Sequence, residues 1–329
     1  VEVLLRHDLR LPVGLDADRA RRSAEQRRVP LTLRLRVNAG SPLLEIDVAL
    51  ENRADDHRLA LALPLPFAAR HYLAGSPFAL TRRPFAAPPA RPRWVQPPGE
   101  AQPFQHAVLV EAPRAGHGVA LFAPGLREIA SDPALAPRSG VALRLTLLRS
   151  VRWLSRADLS TRPAGDAGPP WRVEGARQQG PLALRLALLA YPRGARGEAL
   201  RAGRLHADPP RLLAPTEPAP TDAPPRPVTS PRAALDAITR ADGGAAARGL
   251  LCLEPADVQL TALVPAGAGQ LDARLLNCSP RRRHAQLRGP FERRALAVNL
   301  RGERTSELDR LDVPLDPWQL RTVRLSLLQ

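Results

Sequence analysis

SGVALRLTLLRSVRWLSRADLSTRP (residues 139–163) begins as a β-strand with a clean two-residue period. Val141, Leu143, Leu145 and Leu147 fall on one face, and Ala142, Arg144 and Thr146 on the other. Two residues further on, the apolar row meets Arg149, then returns to Val151 and Trp153. An inward guanidinium without a partner would cost several kcal/mol, so that arrangement is dismissed. Two remain: a bulge at Leu147–Leu148 that turns Arg149 outward, or an inward Arg149 paired with a carboxylate, for which Asp158 is the nearby candidate. The bulge is favoured, because it also sends Leu148 inward and lets Val151 and Trp153 resume a core face.

The same alternation runs along much of the chain. Leu31, Leu33, Leu35 and Val37 form one row, Leu44, Ile46, Val48 and Leu50 a second, and Leu59, Leu61, Leu63 and Leu65 a third. The turns NAGSP (38–42) and ENRADDH (51–57) separate them, which predicts an antiparallel meander with one wet face. The opening segment, HAVLVEA (106–112), HGVALFA (117–123) and LALRLALLAY (182–191) add further strands. Strands at this spacing, with no helical pattern between them, predict an all-β fold dominated by a large antiparallel β-sandwich. Residues 15–28 have a helix-forming composition without an apolar stripe and read as a solvated loop or short helix. Residues 233–248 offer one or two helical turns at most.

Proline punctuates the stretch from Pro209 to Pro231, which has no periodicity and reads as a semi-rigid connector. Beyond it, VQLTALVP (258–265), LDARLLN (271–277), HAQLRGPF (284–291), RALAVNL (294–300) and LRTVRLSLL (320–328) predict a second, smaller β-sandwich, with AGAGQ (266–270) as a hairpin loop. The expected organisation is a large sandwich over 1–205, incomplete at its N-terminus, a connector over 206–250, and a small C-terminal sandwich over 251–329.

The 329 residues carry a formal charge of +16, and all 48 basic residues are arginine. The arginines alternate with leucine along strands rather than clustering with aromatics that could stack on bases, which argues against nucleic acid as a partner. No apolar run approaches the length of a membrane span. Cys252 and Cys278 form no metal spacing and no disulfide framework, and read as buried free thiols. The chain holds no Met and opens inside a patterned segment, so it is expected to be the C-terminal piece of something longer; a cytoplasmic location is expected.

Chemistry is sparse. The seven histidines are scattered. Only His206 and Asp208 sit at a same-face strand spacing, directly before a proline pair where rigid geometry is hard to hold. Asp55, Asp56 and His57 are adjacent on a turn and are expected to face water. No glycine-rich phosphate loop and no nucleophile elbow are present. No residue is therefore assigned a catalytic or a metal-binding role.

Four stretches carry a resemblance: LLRHDLRLPVGLDADRARRSAE (4–25), ENRADDHRLALALPLP (51–66), TLLRSVRWLSRADLSTRPAGDAGPPW (146–171) and LDVPLDPWQLRTVRLSL (311–327). Together they resemble the C-terminal half of the bacterial α-mannosidases of glycoside hydrolase family 38. The resemblance implies a galactose-mutarotase-like supersandwich for the larger domain. It implies a zinc-dependent α/β barrel, N-terminal to the sandwiches, that holds the catalytic machinery of a retaining enzyme, for which two carboxyl groups lie about 5 Å apart. The barrel's motifs have no counterpart in this chain, so zinc and catalysis are expected there, and the sandwiches are expected to pack on the barrel and complete its cleft for an α-mannoside. GSPFALTRRPF (75–85) resembles the loop that lends an arginine to that cleft, which makes Arg82 and Arg83 candidate substrate ligands; a guanidinium fork suits vicinal sugar oxygens. Two other functions compete. One is a standalone carbohydrate-binding sandwich, which needs exposed aromatics; Trp94 and Trp171 lie in loops, whereas Trp153 and Trp318 are expected in the core. The other is a structural protein using its basic face, whose binding would weaken with salt.

Overall fold

The computed structural model describes residues 1–86, 94, 96, 99–112, 116–157, 159, 162, 165, 167–209 and 251–328. The connector's core and the helical segment expected at 233–248 lie outside them. The chain forms two compact units, one built on Val1–Asp208 and the other on the strands after Leu251.

The first unit contains β1 (Glu2–Pro12), β2 (Gln26–Val37), β3 (Leu44–Asn52), β4 (His57–Leu65), β5 (His71–Gly75), β6 (Leu80–Pro84), β7 (Ala101–Pro103), β8 (Ala107–Glu111), β9 (His117–Phe122), β10 (Glu128–Ser131), β11 (Val141–Ser150) and β12 (Gly180–Pro192), then helix α1 (Arg196–Ala207). An eight-stranded sheet runs β1-β2-β3-β12-β9-β8-β5-β6 and a four-stranded sheet runs β4-β11-β10-β7. Every pairing within them is antiparallel. The fold is all-β, as the alternating rows predict. The main core lies between the sheets: Ile46, Val48, Tyr72, Val108, Leu121 and Leu186 from one side meet Leu65, Ile129, Leu143, Leu145 and Leu147 from the other.

The three leading apolar rows do not form a meander. β2 pairs with β3, but β4 leaves that sheet and pairs with β11 in the opposite one. The ENRADDH turn is what redirects it. Asn52 is buried and its side chain donates to the backbone carbonyls of Arg177 and Gln178, while its own Oδ1 accepts from the Ala54 N–H. Asp56 adopts a left-handed φ of 53°. A turn tied down in this way is a corner between layers, not a hairpin.

The bulge expected near Arg149 is present. Thr146 faces Ala60 and Leu148 faces Leu59, leaving Leu147 as the extra residue. Leu147 completes the row of the main core, while Leu148 enters a neighbouring cluster with Val29 and Leu50. Arg149 is turned to solvent and reaches Glu128 at 3.5 Å. Asp158, the candidate partner of an inward Arg149, lies outside the described residues. Trp153 departs from expectation: it is half-buried, with the Arg19 and Arg172 guanidiniums 4.9 and 5.8 Å from its ring centre. Trp318 is also half-buried rather than in a core. Residues 15–25 form a loop closed by a Leu15–Arg22 bridge, with no helix, and 26–28 already belong to β2.

Helix α1 covers the outer face of the large sheet, where Ala199 packs with Leu109, Ala120, Phe122, Ala187 and Leu189. Gly203 lies so close to Phe122 that a Cβ would sit 2.1 Å from its ring. The helix start is fixed by Arg196, which grips Glu111 through two nitrogens, and Glu111 also accepts from the Tyr191 hydroxyl. No helix among the described residues is long and apolar enough to cross a membrane.

The second unit holds β13 (Cys252–Glu254), β14 (Val258–Gly267), β15 (Gln270–Asn277), β16 (Arg283–Arg288), β17 (Phe291–Val298), β18 (Arg304–Leu308), β19 (Asp312–Leu315) and β20 (Leu320–Leu327). They form a three-stranded sheet, β13-β16-β19, and a five-stranded sheet, β14-β15-β20-β17-β18. Ala273, Leu275, Val323 and Leu325 from one sheet pack with Ala285, Leu287, Val313 and Leu315 from the other. The hairpin at 267–270 turns on Gly269, whose φ of 69° a side chain would oppose. Cys278 is buried as expected, but Cys252 is exposed, because β13 is a three-residue edge strand whose alternate side chains face water.

Candidate functional site

β5 and β6 form a hairpin at the edge of the large sheet, with Tyr72 opposite Arg83 and Leu73 opposite Arg82. Neighbouring strand residues face opposite sides. Tyr72 belongs to the core between the sheets, so Arg83 points to that side, whereas Arg82 shares the outer face with Leu73. The two candidate arginines therefore cannot serve one ligand. Arg82 is exposed and its Nη2 lies 3.0 Å from His71 Nδ1.

Arg83 stands where the sandwich is open at one edge. β6 ends the large sheet and β7 ends the small one, and the guanidinium spans the gap between them. Its Nη1 donates to Gln102 Oε1 at 2.7 Å and its Nη2 to the Pro103 carbonyl at 3.4 Å, while Nε is buried without an acceptor among the described residues. Gln102 in turn donates to the Gly99 carbonyl at 3.1 Å. A cleft of about 190 Å³ opens here, lined by Tyr72, Arg83, Phe85, Glu100, Gln102 and Ser131. The rings of Tyr72 and Phe85 meet edge to face at 5.3 Å and make its apolar wall. Burial pushes the Tyr72 phenol up, opposed by the nearby Arg83 charge, so the ring stays neutral at physiological pH. Arg144 holds the far side in place, bonding Asp132 at 3.0 Å and Glu100 at 3.2 Å.

This arrangement can bind rather than react. It presents a fixed cation, a carboxylate, an amide, a hydroxyl and an aromatic wall, the mixture of a few aimed polar groups on an apolar surface that suits a small polar ligand. The alternation of TRR singles out Arg83, but nothing in the sequence marks Glu100 or Gln102. They sit in a proline-rich stretch whose one strand is three residues long.

The other sequence candidates fare differently. His206 and Asp208 do not form a pair: His206 is buried on the inner side of α1 and Asp208 is exposed at its C-terminal end. Asp55, Asp56 and His57 do not face water as expected. Asp55 and His57 are buried and Asp56 is half-buried. Arg177 and Gln179 hold Asp55, and Arg152 with the Leu15 N–H holds Asp56. Burial opposes the Asp56 charge, but these bonds outweigh it and keep the carboxyl below its usual range. Among the described residues, no three His, Cys, Asp or Glu side chains converge where they could hold a metal ion. Trp94 and Trp171 are exposed, as expected of loop residues.

No protein-family model and no curated protein matches the chain. Solved structures do. An α-mannosidase from Enterococcus faecalis V583 superposes with a TM-score of 0.71 at 20% identity, covering 98% of this chain and 33% of that one. A protein in glycosyl hydrolase family 38 from Enterococcus faecalis superposes with a TM-score of 0.70 at 19% identity, covering 98% and 34%. At this identity the likeness is one of fold, and it extends over nearly every residue of this chain. The chain spans about a third of the length of the chains it matches. The sequence stretches resemble the family to which the second of these solved structures is ascribed.

Proposed function

We propose that this chain is the C-terminal, non-catalytic β-sandwich portion of a glycoside hydrolase family 38 α-mannosidase, packed on a catalytic barrel that belongs to the same polypeptide. The observation that carries the reading is that the chain matches, end to end, one third of an α-mannosidase. The cleft beside Arg83 supports it, because its groups are ones that bind a polar ligand. In this reading the zinc expected of the family is held by residues of the barrel.

Within this reading Arg83 is the arginine offered to the α-mannoside, and Arg82 is not. A sugar ring presents hydroxyls to the guanidinium and Glu100 and a C–H face to Tyr72 and Phe85. To accept from Arg83, a hydroxyl would displace Gln102 from Nη1 or share that nitrogen with it. A cytoplasmic location belongs to the same reading.

The test is hydrolysis of an aryl α-mannoside. The chain alone, with or without added zinc, is expected to give no turnover, and robust hydrolysis by the pure chain overturns the non-catalytic assignment. In the complete enzyme, Arg83→Ala should raise KM by tenfold or more while Arg82→Ala leaves it unchanged. The reverse pattern removes Arg83 from the cleft.

A further inference from the structure

Two long connections meet at the corner that sends β4 into the opposite sheet. The 13–25 loop is held by the Leu15 N–H on Asp56 Oδ2 at 3.3 Å and by the Val13 carbonyl, which accepts from the Asp55 N–H at 2.9 Å. The 151–179 excursion is held by Arg152 on Asp56 at 2.7 Å and by Arg177 on Asp55 at 2.9 and 3.1 Å. The two are also joined to each other, because Arg156 donates to the Arg19 carbonyl and Arg19 lies over Trp153. The two carboxylates take the charged contacts of both connections, beside backbone bonds and the bonds of Asn52 and Ser150 to the Arg177 carbonyl.

His57 follows them directly. It is 8% exposed, and neither ring nitrogen makes a well-formed hydrogen bond, although the Asp55 backbone carbonyl is close enough to favour a proton on the ring. Across the ladder it faces Ser150, whose hydroxyl is already committed to the carbonyls of Ala54 and Arg177. The charged groups around it come from three elements: Asp55 and Asp56 from its own corner, Arg22 from the 13–25 loop, and Arg152, Arg177 and Glu174 from the excursion. Among the described residues three guanidiniums face three carboxylates, so these groups balance while the imidazole is neutral. A proton on His57 adds an unbalanced buried charge, and the carboxylates that could answer it are those already holding the two connections.

We propose that His57 is an acid-operated latch: on taking a proton it draws Asp55 and Asp56 away from Arg177 and Arg152, and the 13–25 loop opens together with the 151–157 and 174–179 segments. Histidine is suited to this because its charge changes in the physiological range. Burial, with the nearby Arg22, holds the ring below its ordinary 6.5 in the closed form, against the pull of Asp55 and Asp56. The open form therefore takes the proton first as pH falls, and opening is favoured below about pH 6.5 by up to tenfold per pH unit.

Hydrogen exchange followed by mass spectrometry on the whole chain tests this, between pH 7.5 and 5.0 and corrected for the intrinsic pH dependence of exchange. Peptides from 13–25, 150–157 and 174–179 should lose protection below pH 6.5, by at most tenfold per pH unit, and should stay less protected at every pH than the 184–189 core of β12, which opens only with the whole unit. His57→Gln should flatten the response in those peptides, and His206→Gln, which removes the other buried histidine of this unit, should leave it intact. The proposal is overturned if the wild type shows no acid response there, if H57Q keeps it, or if H206Q abolishes it. If H57Q does not fold, the wild-type and H206Q profiles still decide between the two histidines.

Discussion

Arg177 and Asp55, 122 residues apart in sequence, meet through a two-pronged ion pair with Nε–Oδ1 at 3.1 Å and Nη2–Oδ2 at 2.9 Å. The pair is asymmetric, because Asp55 is buried while Arg177 is about a third exposed and also reaches Glu174. Removing the arginine strands a buried carboxylate with Gln179 as its remaining side-chain donor. Removing the carboxylate leaves a guanidinium that water and Glu174 can satisfy. Arg177→Met should therefore cost about 3 kcal/mol, near the lower end for breaking a buried pair, and Asp55→Asn about 1 kcal/mol, as for a solvent-screened one. Urea unfolding of both variants checks the order, and equal costs would contradict it.

The bulge at Leu147 gives a sharper contrast. Arg149→Leu changes an exposed residue with one long ion pair, so it should shift stability by no more than about 0.5 kcal/mol. Deleting Leu147 removes the extra residue while Leu148, Arg149 and Ser150 keep their partners Leu59, Arg58 and His57, so the guanidinium stays outward and the loss is that of one buried leucine. That variant should still fold and lose about 2–5 kcal/mol, the usual cost of taking a leucine out of a core. Circular dichroism with urea titration distinguishes the two.

Gly203 sits in the middle of α1, where alanine would ordinarily be better by about 1 kcal/mol. Here a Cβ would meet the Phe122 ring at 2.1 Å. Gly203→Ala should therefore destabilise by about 1–3 kcal/mol through overpacking. Phe122→Leu in the same chain should recover part of the loss, and a thermal double-mutant cycle reads the coupling.

The sheet strands were legible because their apolar rows are almost pure leucine, isoleucine and valine, alternating with arginine, acidic residues or alanine. The Arg149 bulge was legible for the same reason: a single charge in such a row has few outcomes. Helix α1 was not legible, since its inward face is Ala199, Gly203 and His206, which make no apolar stripe. The ENRADDH corner reads as solvated because its partners, Arg152 and Arg177, lie about a hundred residues away. The cleft was half legible. TRRP exposes Arg83 on one face, but Glu100 and Gln102 come from a different sheet and carry no local signal.

Global stability should fall as the medium turns acid, well before carboxylates titrate. His57 and His206 are both buried, and burial pushes both below the ordinary 6.5, with Arg22 acting on the first and Arg185 on the second in the same direction. In each case the unfolded chain binds the proton first, so the stabilisation is complete above pH 6.5 and is lost as pH falls from 6.5 towards the folded values. Asp56 works in a separate, lower window, because its depressed carboxyl gives up stability only as pH falls below 3.8. The urea midpoint should therefore drop between pH 7.5 and 5.5, and the His57→Gln/His206→Gln double variant should show a smaller drop.

The reading of this chain as the sandwich body of a larger α-mannosidase is tested most directly by immunodepletion of an extract of the cells that make it. An antibody raised against this chain should remove the aryl α-mannosidase activity and bring down a polypeptide about three times the chain's own length, as the matched structures imply. Activity left in the supernatant, with the antibody holding only a polypeptide of 329 residues, would contradict it.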